Sequence, residues 1–295
     1  MDSFAINGFL NKDKFRYVLI DSTNLSKEAQ KKQGLYGGSA IVLSYLLTAT
    51  ELLSAALLKD KQTMTVKLRT NGLIRGALID ADDNGHVKGY ILNNHADFIL
   101  DKDNKVDWTK MIGSQGTLSV SKNLGVGEPY TGQVSLVNGK IGETFAYYLA
   151  QSEQINSALN VVALIDSDGK ISHAGGFLIQ TLPGTSDSDI NELEQKIKSI
   201  SLSSWLKSGK DINGFLNQLV DGRQDVKALG TKQLSYYCNC SKEKFANDLK
   251  RLSENDLKEL IDDDKGAELV CHFCNQKYNF TTEELKQILD SKSNN

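Results

Sequence analysis

The chain has 295 residues, 40% of them hydrophobic and 24% charged, with 24 glycines, which is enough for a main domain plus a smaller appendage and far from a collagen-like or disordered composition. A formal net charge of −3 and a pI near 5.9 give no basic footprint for a polyanion, so nucleic acid is not an expected partner. The start, Met1-Asp2-Ser3-Phe4, lacks the basic, apolar and small-residue segments of a secretory signal, and a cytoplasmic protein is expected.

Along the chain, the longest apolar run, Ala40 to Leu58, is interrupted by Ser44, Thr48, Thr50, Glu51 and Ser54. It is therefore expected to be a buried helix and not a membrane span, which needs about 20 predominantly apolar residues. The segments 63–69 and 116–121 alternate with period two and read as strands. Asn84-Gly85 and Asn138-Gly139 each sit between strand candidates and have the chemistry of a tight hairpin turn. The period shifts toward helix at 145–150, and then 161–165 and 176–179 read as buried strands around an Asp168-Gly169 turn. Pro183-Gly184 closes this domain, so residues 1–184 are expected to form an α+β core with helices and a largely antiparallel sheet.

Residues 185–230 read as an amphipathic helical linker. After a polar stretch, Ile190, Leu193, Ile197 and Ile200, and later Ile212, Phe215, Leu216 and Leu219, recur at the three-and-four spacing of a helix with one apolar face. Helices this short are marginal alone and must bury their stripe against something else.

Residues 231–295 are expected to be a small C-terminal metal-binding domain. Helices are suggested by Phe245, Leu249 and Leu252, by Leu257, Leu260 and Ile261, and by Leu285, Ile288 and Leu289. Ser253 with Asp256, and Thr281 with Glu284, have capping-box spacing and mark two helix starts.

This C-terminal part holds all four cysteines, as Cys238-Asn239-Cys240 and Cys271-His272-Phe273-Cys274, with thirty residues between the pairs. Thiols in the cytosol are kept reduced, so they point to a metal or redox site before structural disulfides. Two close pairs across a short helical segment suit four sulfurs around one zinc ion. A C-x-C pair is unusual in a plain zinc ribbon. A disulfide across it closes a small strained ring that is easily reduced, so Cys238 and Cys240 are suited to a reversible switch. Four thiolates on one Zn²⁺ leave a net negative site in the form that oxidants attack, with Lys232, Lys242, Lys244 and Lys277 near in sequence. His272 is a minor alternative ligand, and His86, His95 and His173 have no partner spacing that suggests chemistry.

Two other functions compete. A purely structural four-cysteine zinc site in a nucleic-acid-binding ribbon is disfavoured by Glu254, Asp256, Glu259 and Asp262-Asp263-Asp264 between the pairs, where such a ribbon needs Lys and Arg. An enzyme is disfavoured because no nucleophile elbow, P-loop or dinucleotide fingerprint occurs, and Gly34-Leu35-Tyr36-Gly37-Gly38 is only a weak phosphate-loop lookalike.

The segments 236–245 (YYCNCSKEKF) and 271–280 (CHFCNQKYNF) resemble the zinc domain of the thirty-three-kilodalton heat-shock protein family of bacterial redox-regulated chaperones. The resemblance extends to 175–184 (GGFLIQTLPG), Ser152-Glu153-Gln154 and 127–134 (GEPYTGQV), and Asn93-Asn94 stands where relatives carry Asn-Pro. It implies an ATP-independent holdase that prevents aggregation of unfolding proteins, inactive when reduced and holding one zinc ion on Cys238, Cys240, Cys271 and Cys274. On oxidation, the resemblance implies, the Cys271–Cys274 pair forms first, zinc leaves, the linker loses order, and the Cys238–Cys240 pair then fixes an active form that commonly dimerises. For binding unfolded clients, the resemblance points to the linker and adjacent faces of the N-terminal domain, with Ile190, Leu193, Ile197, Trp205, Ile212, Phe215 and Leu219 as candidates. In the resting state the same residues would cover the core.

Overall fold

A computed structural model describes residues 2–220, 225–262 and 265–293, and the chain divides by its contacts into Met1–Tyr237 and Cys238–Asn295. In the first unit ten strands form one sheet: β1 (Ser3–Leu10), β2 (Phe15–Asp21), β3 (Thr63–Thr70), β4 (Gly76–Asp82), β5 (His86–Ile91), β6 (Gly116–Asn123), β7 (Tyr130–Ser135), β8 (Ser157–Ile165), β9 (Ile171–Thr181) and β10 (Val226–Tyr236). Their order is β7-β6-β3-β4-β5-β10-β1-β2-β9-β8. All neighbours are antiparallel except β5 and β10, which run parallel through the two pairs Ser235–His86 and Tyr236–Val87. With helices α1 (Thr23–Gln33), α2 (Gly37–Leu57), α3 (Trp108–Met111), α4 (Ile141–Ser152), α5 (Asp187–Ser199), α6 (Leu202–Lys207) and α7 (Asn213–Leu219), this is the α+β architecture expected from the strand and helix periods.

Alternation along the strands loads both faces of the β1-β2-β9-β8 half. On one face Val18, Ile20, Ala174 and Leu178 join the main core with Leu43, Leu46, Leu47 and Leu53 of α2. On the other, Phe15, Tyr17, Leu19, Phe177 and Ile179 form a second cluster with α5, α6 and α7. Helix α2 has mean hydropathy 1.7, and 78% of that apolar window is buried in this fold, so its length serves the core.

The chain divides by its contacts after Tyr237, because β10 belongs to the ten-stranded sheet. It pairs with β1 from Ser3–Leu234 to Leu10–Val226, with a bulge at Asn7/Gly8. A Cβ on Gly8 would lie 2.0 Å from the Lys227 carbonyl oxygen, so only glycine admits β10 there. Most β10 side chains are exposed, which removes the apolar alternation that announces a strand. At Asn138-Gly139 both residues adopt positive φ and the Lys140 amide donates to the Val137 carbonyl at 2.8 Å. The turn is of the expected kind, but it feeds α4 and not a partner strand. At Asn84-Gly85 the hairpin does form, between β4 and β5.

Glu51 of α2 is fully buried with one carboxylate oxygen unpartnered. Burial pushes its pKa up to about 8, against the opposing pull of Lys232, with Asp82 adding to the rise. A carboxyl that stays protonated in the fold and ionises in the unfolded chain makes stability fall as pH rises from its unfolded value toward 8, by about 1.4 kcal/mol per pH unit. Glu51→Gln should therefore flatten the pH dependence of unfolding over that window. Both tryptophans, Trp108 and Trp205, lie in the first unit, so denaturant titrations followed by intrinsic fluorescence at pH 5 to 8 read it directly. An unchanged slope would mean that Glu51 is not the group responsible.

Candidate metal centre

The second unit consists of α8 (Lys242–Leu249), α9 (Glu254–Asp262), β11 (Ala267–Val270), β12 (Lys277–Phe280) and α10 (Thr282–Ser293). Local sequence sets most of it. Ser241 caps α8 by accepting from the Lys244 amide at 3.2 Å. Both capping boxes close reciprocally, Ser253 with Asp256 and Thr281 with Glu284. The apolar core is small: Leu249, Leu257, Ile261, Phe280, Leu285 and Ile288 are buried, flanked by partly buried residues that include Phe245 and Tyr278. A unit of this size with so little core ordinarily needs a metal or cross-links to fold.

The cysteines enter from two loops. Cys238 and Cys240 precede α8. Cys271 and Cys274 lie in the connection between β11 and β12, tightened by Cys271 N–H to Gln276 C=O at 2.9 Å and Asn275 N–H to Cys271 C=O at 2.8 Å. Asn275 takes the left-handed conformation that turns the chain back. The two strands pair from Ala267–Phe280 to Val270–Lys277, so the hairpin fixes the second Cys pair.

All four sulfurs lie within 4.8 Å of one another. The Cys238 and Cys271 sulfurs are 3.7 Å apart, and those of Cys240 and Cys274 are 3.4 Å apart. Four Zn–S bonds of about 2.3 Å in a tetrahedron place sulfurs about 3.8 Å apart, whereas a disulfide needs about 2.05 Å. The thiols are free and their spacing fits a tetrahedral soft-metal site; these four residues could hold a metal ion.

Cys240 differs from its neighbours. Burial pushes the Cys238 and Cys274 thiols up. For Cys240 burial acts in the same sense, but hydrogen bonds from Tyr278 and the surrounding thiols outweigh it and hold this thiol below its ordinary range. The Tyr278 hydroxyl donates to the Cys240 sulfur at 3.2 Å, and that bond, more than burial, pushes the tyrosine up to about 12. Tyr278 gave no signal in the sequence beyond its place near Cys274, because its role depends on a contact with a residue 38 positions away.

The remaining sequence candidates fall in both units. His272 is exposed and stands outside the metal-capable group found among the described residues. Lys242 pairs with Glu284 at 2.5 Å, Lys277 with Glu268 at 2.8 Å, and Lys244 donates to the Asn239 carbonyl at 2.7 Å. Lys232 lies in the first unit and donates to the Asp83 carbonyl. Glu254, Asp256, Glu259 and Asp262 are exposed, while Asp263 and Asp264 lie outside the described residues. In the first unit, Leu193, Ile212, Phe215 and Leu219 are buried in the second cluster, and Ile190, Ile197 and Trp205 pack at its edge. Phe215 stacks on Phe177 of β9 with centroids 5.6 Å apart. Residues 34–36 connect α1 to α2, and Gly37 and Gly38 open α2.

The model of the Hsp33 protein family matches residues 4–281. The chain belongs to the Hsp33 family. It is 39% identical to the 33 kDa chaperonin of Lactiplantibacillus plantarum, covering 98% of each chain, and 41% identical to that of Lactobacillus delbrueckii subsp. bulgaricus, covering 99% of each. The crystal structure of the heat shock protein 33 homologue of Thermotoga maritima superposes over the full length of both chains with TM-score 0.92 at 30% identity. Membership of the Hsp33 family supports a chaperone function, and with it the binding of client proteins.

Cobalt(II) reports on such a site directly. Reduced protein stripped of metal should take up one Co²⁺ per chain with the sulfur-to-metal absorption of tetrahedral thiolate coordination, and Cys271→Ser should abolish that spectrum. Uptake that does not depend on the cysteines would place the metal elsewhere.

Proposed function

We propose that this chain is a redox-regulated, ATP-independent holdase of the cytoplasm that binds unfolded or partly folded proteins under oxidative or heat stress and prevents their aggregation without catalysing a reaction. One observation carries the redox part: four free thiols within 4.8 Å of one another in a unit whose apolar core is too small to hold it alone.

In the reduced state Cys238, Cys240, Cys271 and Cys274 would hold one zinc ion, which keeps the sulfurs as thiolates and contributes roughly 10 kcal/mol or more to folding such a unit. Peroxide removes two electrons from each pair. One thiolate takes an oxygen from H₂O₂ as the sulfenic acid and releases hydroxide, and its partner thiolate displaces a second hydroxide to close the disulfide. The proposed pairs are Cys238–Cys240 and Cys271–Cys274. Once both have closed, no anionic sulfur remains to retain the metal, and most of the folding free energy of the unit is lost.

The proposed response lies in residues 185–230. In the resting fold α5, α6 and α7 have only 13, 6 and 7 residues and depend on burying Leu193, Ile212, Phe215 and Leu219. Helices of that length do not persist once undocked. Their release would expose this stripe, with Ile190, Ile197 and Trp205, and the Phe15, Tyr17, Leu19, Phe177 and Ile179 face beneath it. The functional division into 1–184, 185–230 and 231–295 is thus one of redox response, and the exposed apolar surface also favours a homodimer of the active form.

The test adds peroxide to reduced, zinc-loaded protein and follows metal release with a chromogenic chelator, disulfides by mass spectrometry and aggregation of an unfolded client in the same samples. Zinc loss, two disulfides and protection should rise together and reverse with dithiothreitol. Metal that stays bound, or leaves with no gain of protection, would reduce the four cysteines to a structural clamp.

A further inference from the structure

We infer that Tyr278 is the positioning residue of the sulfur switch: its hydroxyl restrains the Cys240 thiolate, and its ring links that sulfur to the packing of the second unit. The inference rests on the redox reading above and specifies how that site is regulated.

Tyr278 is placed to act on both cysteine pairs. Its hydroxyl donates to the Cys240 sulfur at 3.2 Å. Its backbone, opposite Leu269 in the β11–β12 hairpin, belongs to the frame of the connection that carries Cys271 and Cys274. Its ring lies 5.0 Å from that of Phe245 of α8, tilted by 37°, and both pack against the small core of Leu249, Leu257, Phe280 and Leu285. The sulfur is thus the acceptor that this hydroxyl uses among the described residues.

The chemistry of that acceptor gives the bond its effect. A thiolate takes a charge-assisted hydrogen bond, and the donor draws electron density from the sulfur, which makes it a poorer nucleophile toward peroxide. Partners of metal ligands also orient them, and their loss typically weakens metal binding 10- to 100-fold. When Cys238 and Cys240 pass two electrons to peroxide, which leaves as two hydroxide ions, the Cys240 sulfur becomes neutral and divalent, a weak acceptor. The Tyr278 hydroxyl then loses its strong partner in the same step. Oxidation and loss of packing are thereby tied at one side chain.

Tyr278→Phe keeps the ring and removes the donor, and Phe245→Leu disturbs the same packing while keeping the hydroxyl. In full-length reduced protein, zinc affinity is read by competition with a chromogenic chelator, and Cys238–Cys240 disulfide formation under peroxide by time-resolved mass spectrometry. Tyr278→Phe should weaken zinc about 10-fold and accelerate that disulfide, with Phe245→Leu close to the parent in both. Equal changes in the two variants would show that Tyr278 serves packing alone, and no change in Tyr278→Phe would show that the hydroxyl does not act on the sulfur; either result overturns the inference. The parent separates the two levels: if its zinc does not leave with peroxide, the switch itself fails, whatever the variants do.

Discussion

Four sulfur atoms drawn to within a few ångströms of one another are what the second unit is built around. Six buried apolar side chains cannot offset the conformational entropy of ordering more than fifty residues. The capping boxes and the β11–β12 hairpin serve to deliver Cys238, Cys240, Cys271 and Cys274 to one point. A fold whose stability is concentrated in a few oxidisable bonds is lost in one chemical event, whereas a fold held by a distributed core would lose its stability gradually. Under the proposed function the same arrangement would serve as both clamp and trigger.

The first unit is organised for the complementary requirement. Its main core, built on α2, is extensive and contains no cysteine. The opposite face of the β1-β2-β9-β8 half is just as apolar, yet it is covered by three short helices held by ring stacking at Phe215 and Phe177 and by an ion pair from Lys14 to Asp189 at 2.6 Å. Coverage of this kind is conditional, because little but docking sustains the helices. Strand β10 is the covalent path between these helices and Cys238. It pairs with β1 from Val226 to Leu234 and with β5 at Ser235 and Tyr236.

What the sequence disclosed was what is local in the chain. The C-x-C and C-x-x-C pairs, both capping boxes, the α2 run and the alternating strands 63–69 and 116–121 carry their geometry within a few residues. What it withheld depends on the third dimension. Strand β10 exposes most of its side chains and so shows no apolar period, and β2 is buried on both faces and reads Tyr17-Val18-Leu19-Ile20 without alternation. The turn chemistry of Asn138-Gly139 specifies positive φ but leaves open whether a strand or a helix comes next. Tyr278 is an aromatic on a short strand until Cys240 is placed against it. The linker stripe was visible as an apolar face, but that it closes on Phe177 and Tyr17 required the sheet.

The account stands on one causal link, that oxidation at the four sulfurs frees the helices over the sheet while the main core persists. Hydrogen exchange compared between reduced zinc-loaded protein and the same protein after peroxide tests it most directly. The account predicts that protection collapses in 238–293 and in α5, α6 and α7, while α2 and strands β3, β4 and β6 keep theirs. Loss of protection confined to 238–293, with α5 to α7 still protected, would contradict it.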